Sequence, residues 1–249
     1  MIDLKLDKQA NPLLWHCVIG PLRRWRIVQR SFGVREVRCS YFGTDFVVDL
    51  CDDYGFDVAT RRFEHGDLAR LVKAIRRLRP SVFVDVGACW GIYSCIVGSF
   101  DPTVRVVALE PDPARFALLK KQIADHDLQS RATLIQAAAG ASHGREVGLV
   151  RGENGMIQVT HESDGYCGAP LVALDALDLP RGRCIVLKID VDEYELEVFR
   201  GGAEFFRSNH GYAVIEAMGD NLVPVTEWMA AVGWRMVERH GINAMFEKP

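Results

Sequence analysis

Val82-Phe83-Val84-Asp85-Val86-Gly87-Ala88-Cys89-Trp90-Gly91 decides how this chain is read. Val82, Phe83, Val84 and Val86 make a short apolar, mostly β-branched run, the pattern of a strand buried on both faces. The run ends in a glycine turn, and from Gly91 to Phe100 the apolar residues recur at helical spacing. Strand, glycine turn and helix in that order present backbone N–H groups at the carboxyl end of the strand, and Gly87 would let a ligand approach the backbone closely.

The glycine spacing is Gly-x-x-x-Gly, whereas a dinucleotide pyrophosphate site expects Gly-x-Gly-x-x-Gly. Asp85 would also repel a pyrophosphate, yet it suits a ligand carrying an ammonium and a sulfonium, which is S-adenosylmethionine. A second acid fits the same ligand. Glu110 ends the next strand 25 residues after Asp85, where a carboxylate can take both ribose hydroxyls.

Further along the chain, apolar strands at 104–109, 132–137, 184–189 and 212–216 alternate with helical patterns at 113–126, 193–208 and 223–232. This alternation predicts an α/β fold with a mostly parallel sheet, and the closing runs at 234–238 and 243–246 predict an antiparallel hairpin at its edge. The helix from Pro113 is well marked, with Asp112 as cap and Phe116, Leu119 and Ile123 on one face. Glycines cluster between 142 and 168, with Asn154-Gly155 between alternating runs, which predicts a β-hairpin inserted as a lid. Residues 1–80 read as an N-terminal α/β appendage, with helices at 13–29 and 67–78 around short strands at 36–42 and 46–50, ahead of a catalytic-type domain over 81–249.

Composition narrows the classes. A 49% apolar and 25% charged chain of 249 residues builds a full core and is neither disordered nor fibrous. A net charge of −3 gives no global attraction to nucleic acid, and none is expected as a partner. Seven cysteines without CxxC pairs read as reduced thiols, and no apolar run is long enough to cross a membrane. Residues 1–8 do not look like the start of a signal peptide, so the expected location is cytoplasmic. Residues 8–35 hold no acid but carry Lys8, Arg23, Arg24, Arg26, Arg30 and Arg35 with Trp15 and Trp25, a pattern open to peripheral contact with an anionic membrane or to a solvated helix face.

Residues 80 to 248 resemble the FkbM-type methyltransferases through VDVGACWGIYS (84–94), LEPDP (109–113), IQAAAG (135–140), LDAL (174–177), KIDVDEYELEVFRGG (188–202), VIEAM (214–218) and NAMF (243–246). The resemblance implies a Rossmann-like class I sheet, S-adenosylmethionine as cofactor, and transfer of a methyl group to a hydroxyl of a sugar, glycan, glycolipid or polyketide-type acceptor. It sets Gln136 near the adenine, in the place of the family's asparagine. Asp85, Gly87, Ala88, Trp90, Gly91, Glu110, Pro111, Gln136 and Asp190 are the residues assigned to the cofactor. The chain departs from the family's Asp-Val-Glu-Gly, reading Asp190-Val191-Asp192-Glu193.

In open α/β sheets the site lies beyond the carboxyl ends of the strands. Asp190 and Glu216 end the fourth and fifth parallel strands, and with Asp192 they form the candidate catalytic set. The expectation is a metal-free mechanism in which Asp190 takes the hydroxyl proton and Glu216 orients, with a three-carboxylate Mg²⁺ or Ca²⁺ site as the alternative. A cofactor-binding or scaffold protein that has lost turnover is the second functional reading, prompted by Asp192-Glu193, and a nicotinamide-dependent dehydrogenase is a distant third.

Overall fold

A computed structural model describes residues 36–50, 52–152, 157–160 and 165–249. The basic helix expected over 13–29 and the Asn154-Gly155 turn lie outside the described residues. The chain divides into two compact units, one ending at His65 and one running from Gly66 to Pro249.

In the first unit, β1 (Glu36–Tyr41) and β2 (Thr44–Asp49) form an antiparallel hairpin. Phe42 and Gly43 both have positive φ at its turn, as a two-residue hairpin loop requires. Val37, Cys39 and Tyr41 alternate inward along β1. A short helix absent from the sequence reading, α1 (Asp53–Ala59), follows; Asp52 caps it by accepting the Gly55 N–H at 2.8 Å.

The second unit is built around α2 (His65–Leu78), β3 (Val82–Val86), α3 (Ile92–Phe100), β4 (Arg105–Leu109), α4 (Pro113–Asp125) and β5 (Ala132–Ile135). An insertion then supplies β6 (Ala138–Ala139), β7 (Arg145–Arg151), β8 (Ile157–Thr160) and β9 (Cys167–Val172). The chain returns through β10 (Cys184–Ile189), α5 (Glu195–Gly201), α6 (Ala203–Ser208), β11 (His210–Glu216), α7 (Leu222–Ala231), β12 (Arg235–His240) and β13 (Asn243–Lys248).

The main sheet has the strand order β12-β13-β11-β10-β3-β4-β5. Strands β11, β10, β3, β4 and β5 pair in parallel, and β13 is antiparallel to both neighbours. From β3 the chain winds outward through β4 to β5 and then returns to β10 on the other side of β3. The direction of winding therefore reverses between β3 and β10, and the cleft at their carboxyl ends is where such sheets bind ligands. Val84, Leu187, Ile189, Phe199, Phe205, Phe206, Trp234 and Phe246 belong to one buried core cluster, with the Trp234 indole N–H donating to the Phe206 carbonyl at 2.9 Å. Each large apolar side chain so buried contributes about 1.5–3 kcal/mol before the cost of ordering it.

Two expectations need correction. The insertion is a separate four-stranded sheet, β6-β9-β7-β8, and not a lone hairpin. Gly168 and Pro170 hide β9 in the sequence; the fold tolerates the proline because β6 pairs only with Leu171 and Val172, so Pro170 needs no donor on that side. The single helix expected over 193–208 is two helices. Gly201 packs so close to the insertion that a Cβ there would stand 1.9 Å from the Gly140 carbonyl oxygen, and the chain breaks at Gly202. Among the described residues no helix is long and apolar enough to cross a membrane.

Candidate functional site

The loop after β3 does not offer its amides to a ligand in the way the sequence implied. Gly87 and Ala88 N–H both donate to the Leu109 carbonyl (3.0 and 2.9 Å), and Gly91 N–H donates to the Ala88 carbonyl at 2.8 Å. Cys89 N–H donates to Glu110 Oε2 at 2.8 Å. The role of Gly87 also shifts. Its φ is +77°, and a Cβ there would lie 1.8 Å from the Asp190 carbonyl oxygen, so the space is taken by the neighbouring loop of the protein itself. Asp190 N–H bonds the Val86 carbonyl at 3.0 Å, and together these contacts hold the ends of β3 and β10 side by side.

Ala88 and Trp90 are buried within this loop. Gly91 has a φ of +87° and leads into α3 without a side-chain cap. Asp85 is fully buried beneath it, accepting the Ser94 hydroxyl at 2.6 Å on Oδ2 while Oδ1 has no partner. Burial pushes the Asp85 carboxyl up, against the pull of Lys188 and Ser94. Burial also pushes the Cys89 thiol up to about 12, so it stays protonated and is no nucleophile at neutral pH.

Glu110, at the end of β4, is only 3% exposed. Besides the Cys89 amide, its carboxylate accepts the Asp112 N–H at 2.9 Å on Oε1, which leaves acceptor capacity on each oxygen. Burial raises its carboxyl to about 7, partly offset by those two amides and by Arg115. Glu110 N–H bonds the Ile135 carbonyl at 3.1 Å, so the exposed Gln136, the next residue after Ile135, stands at the end of the adjacent strand. Pro111 is half-buried between Glu110 and the helix cap Asp112, whose side chain accepts the Arg115 N–H at 2.8 Å.

On the other side of the cleft, Asp190, Asp192 and Glu216 each bring one carboxylate oxygen within 4.8 Å of the others. Lys188, buried on β10, holds Asp190 Oδ2 at 2.7 Å and lies 4.9 Å from the centre of the Tyr93 ring. Burial opposes ionisation of Asp190, but the Lys188 ammonium and hydrogen bonds with Glu216 and Lys188 overcome it and hold the carboxyl below its ordinary range. Glu216 goes the other way, raised by burial and then by the Asp190 charge. Asp192 is raised by burial and by Asp190, and its Oδ2 accepts the Ile157 N–H of the insertion at 3.1 Å.

Asp192 and Glu193 both have positive φ, 51° and 74°. Glu193 is therefore an exposed glutamate in a conformation that favours glycine.

Three side chains that sequence reasoning passed over belong to the same region. Tyr166 donates its hydroxyl to Asp112 Oδ2, and Arg151 lies 3.8 Å from that oxygen and 4.8 Å from the centre of the Tyr166 ring. With the Ile157 contact, these fasten the insertion to both the Glu110 end and the Asp190 end of the cleft. The third is Lys188, whose charge inside an otherwise apolar strand was the signal available. No pattern marked Tyr166 or Arg151, since their partner is 54 residues from Tyr166 in sequence.

The model of the FkbM methyltransferase domain matches residues 85–236. No curated protein matches the sequence. Solved structures of similar fold include precorrin-6y C5,15-methyltransferase from Geobacter metallireducens, with 17% identity, a TM-score of 0.47, and coverage of 75% of this chain and 89% of that one. Another is TYW2 from M. jannaschii in complex with AdoMet, at 12% identity and TM-score 0.44, covering 86% of this chain and 87% of that one. A third is N,N-8-amino-8-demethyl-D-riboflavin dimethyltransferase from Streptomyces davawensis, at 14% identity and TM-score 0.45, covering 78% and 57%.

Proposed function

The chain belongs to the FkbM methyltransferase family, S-adenosylmethionine-dependent enzymes of the class I fold, and from that premise we propose that it methylates a hydroxyl of a sugar, glycan, glycolipid or polyketide-type acceptor. The observation that carries the hydroxyl is the convergence of Asp190, Asp192 and Glu216 at the ends of β10 and β11, beside the Gly87 loop. An alcohol is a poor nucleophile at neutral pH and needs its proton drawn away, which a cluster of carboxylates can do.

The residues suit the cofactor. Asp85, Glu110, Asp190, Asp192 and Glu216 lie at or near strand ends with Lys188 and Arg115 as nearby cations, a net negative setting for a ligand with an ammonium and a sulfonium. S-adenosylmethionine, when bound, supplies an electrophilic methyl group. Glu110 takes the ribose hydroxyls on the acceptor sites its two amide contacts leave open. Gln136 flanks the adenine, and the loop of Gly87, Ala88, Trp90 and Gly91 with Pro111 forms the floor. Asp85, having no exposed surface, acts through space and through its grip on Ser94. The Asp190 cluster faces the acceptor and draws off its proton.

The alternative of a binding protein without turnover drew on Asp192-Glu193. The positive φ at both residues speaks against it, because Glu193 adopts the left-handed conformation that a glycine in its place would favour. The test is Asp190→Asn: binding of S-adenosylmethionine by calorimetry stays within a few-fold of wild type while methyl transfer falls by about 10²–10⁴, the range for losing a positioned carboxylate. Equal transfer rates in the two proteins would reject the assignment of the cluster.

A further inference from the structure

We propose that Asp190, Asp192 and Glu216 hold a hard divalent cation, Mg²⁺ or Ca²⁺, at the carboxyl ends of β10 and β11. Geometry comes first. The three oxygens lie within 4.8 Å of one another. Ligands on opposite sides of such an ion, with bonds of about 2.0–2.6 Å, stand about 4–5 Å apart, so all three fit one coordination sphere.

The second observation is independent of the clustering. Glu216 is 8% exposed, and its Oε2 is buried without any hydrogen-bond partner. A buried carboxylate oxygen left without a donor is uncommon and costly, and a cation in the cluster is a partner of the right charge. The other two carboxylates are supported in the pattern of metal ligands. Lys188 fixes Asp190 through Oδ2, and the Ile157 N–H fixes Asp192 through Oδ2, so each carboxylate is held by a donor that still leaves it acceptor capacity for an ion.

Charge and ligand type agree. The three carboxylates crowd one another with Lys188 and Arg115 as nearby cations, and a divalent ion offsets the repulsion among them. The cluster is all oxygen, with no histidine or cysteine, which selects Mg²⁺ or Ca²⁺ over zinc or copper. Three protein ligands leave positions for water and for oxygens of an acceptor. Resting on the methyltransferase reading, this narrows the acceptor to one that presents two adjacent oxygens, such as a vicinal diol, of which one is methylated. With the cation in place its charge lowers the pKa of the bound hydroxyl, which gives its proton to solvent water as the oxygen takes the methyl group and the sulfur leaves as S-adenosylhomocysteine. Asp190 helps draw off the proton by holding the cation, instead of as the metal-free base expected from the sequence.

The experiment uses the full chain, stripped with EDTA and dialysed, and titrated with Mg²⁺ and separately Ca²⁺ by calorimetry, with thermal unfolding in parallel. The expected result is one site per chain, a cation-dependent rise in melting temperature, and at least ~10-fold weaker binding in Glu216→Gln and Asp192→Asn. Asp125→Asn, an exposed acid paired with Lys121 at 2.6 Å, binds as wild type does. In EDTA, Glu216→Gln melts cooperatively, which shows that it folds, and it gains nothing from added cation. Absence of binding by wild type, or undiminished binding by both variants, overturns the cation site. S-adenosylmethionine titrated into the EDTA-treated chain separates the two readings: its failure to bind would remove the methyltransferase assignment and leave cation binding to stand or fall by its own heats.

Discussion

Gly87→Ala strikes the point where the two halves of the cleft meet. At a φ of +77° an alanine pays the left-handed penalty of about 1–2 kcal/mol. Its Cβ would also stand 1.8 Å from the Asp190 carbonyl oxygen, where ordinary contact begins at 3.4 Å, so 3.4 − 1.8 = 1.6 Å of separation must be found. The opposing atom is backbone at the end of β10, tied to Val86 by a 3.0 Å hydrogen bond, and it has no rotamer to give way. Overpacking of this kind adds about 1–3 kcal/mol, for a total of about 2–5 kcal/mol. Gly144→Ala is the matched control, with a φ of +79° and nothing within 4 Å, and should lose only about 1–2 kcal/mol. Urea unfolding measures both, and calorimetry with S-adenosylmethionine should show at least ~10-fold weaker binding in Gly87→Ala alone, since a displacement of this size distorts the loop proposed as the floor of the cofactor site. If the two variants lose equal stability and both bind the cofactor normally, the close approach of the loops is not what Gly87 provides.

Glu110→Ala should weaken S-adenosylmethionine binding by ~10-fold or more, from about 1.5–3 kcal/mol per charge-assisted hydrogen bond; unchanged affinity would end the ribose assignment. The same residue sets a pH dependence. With its carboxyl raised from 4.5 to about 7 on folding, the folded chain keeps a proton that the unfolded chain has released, so stability declines as pH rises through that window, by about 3 kcal/mol in all, and the penalty is complete above it. Thermal unfolding from pH 5 to 8 should therefore show a steeper decline in wild type than in Glu110→Ala, and parallel curves would refute the burial argument. Glu193→Gly should stabilise the chain by about 0.5–1 kcal/mol, because relief of its positive φ outweighs the added freedom of the unfolded chain; a loss of stability in denaturant titration would show that the exposed glutamate has a role of its own.

The legible part of the fold is the part governed by local patterning. Val82–Val86 and Cys184–Ile189 are strands over the residues read from sequence, because each is a short apolar run rich in β-branched residues and broken by a single charged residue. Asp112 and Pro113 marked the start of α4 for the same reason, a cap and a first-turn proline being local chemistry. What stayed hidden depends on partners distant in sequence. The strand status of Cys167–Val172 rests on β7 and β6 supplying its hydrogen bonds, and the division of α5 from α6 rests on Gly201 meeting Gly140.

Likewise, Asp175 in the Leu174–Ala176 turn reaches forward to accept the Glu204 and Phe205 amides at 2.9 and 2.7 Å, capping α6 from 30 residues away, where the sequence offered only the LDAL motif of the resemblance. In the site, the strand-end rule placed Asp190 and Glu216 together correctly once β10 and β11 proved to be neighbours. Whether the glycine-loop amides faced a ligand or the protein could not be read, since their acceptor is the Leu109 carbonyl of another strand.

The central claim is methyl transfer to oxygen at the Asp190 cluster. Incubation of the full chain with methyl-labelled S-adenosylmethionine, Mg²⁺ and a panel of sugars, glycolipids and polyketide lactones, with the product read by NMR, tests it most directly. The account predicts label on an oxygen next to a second oxygen, with S-adenosylhomocysteine formed in equal amount. Label appearing only on nitrogen or carbon, or cofactor binding without label on any hydroxyl acceptor, would contradict it.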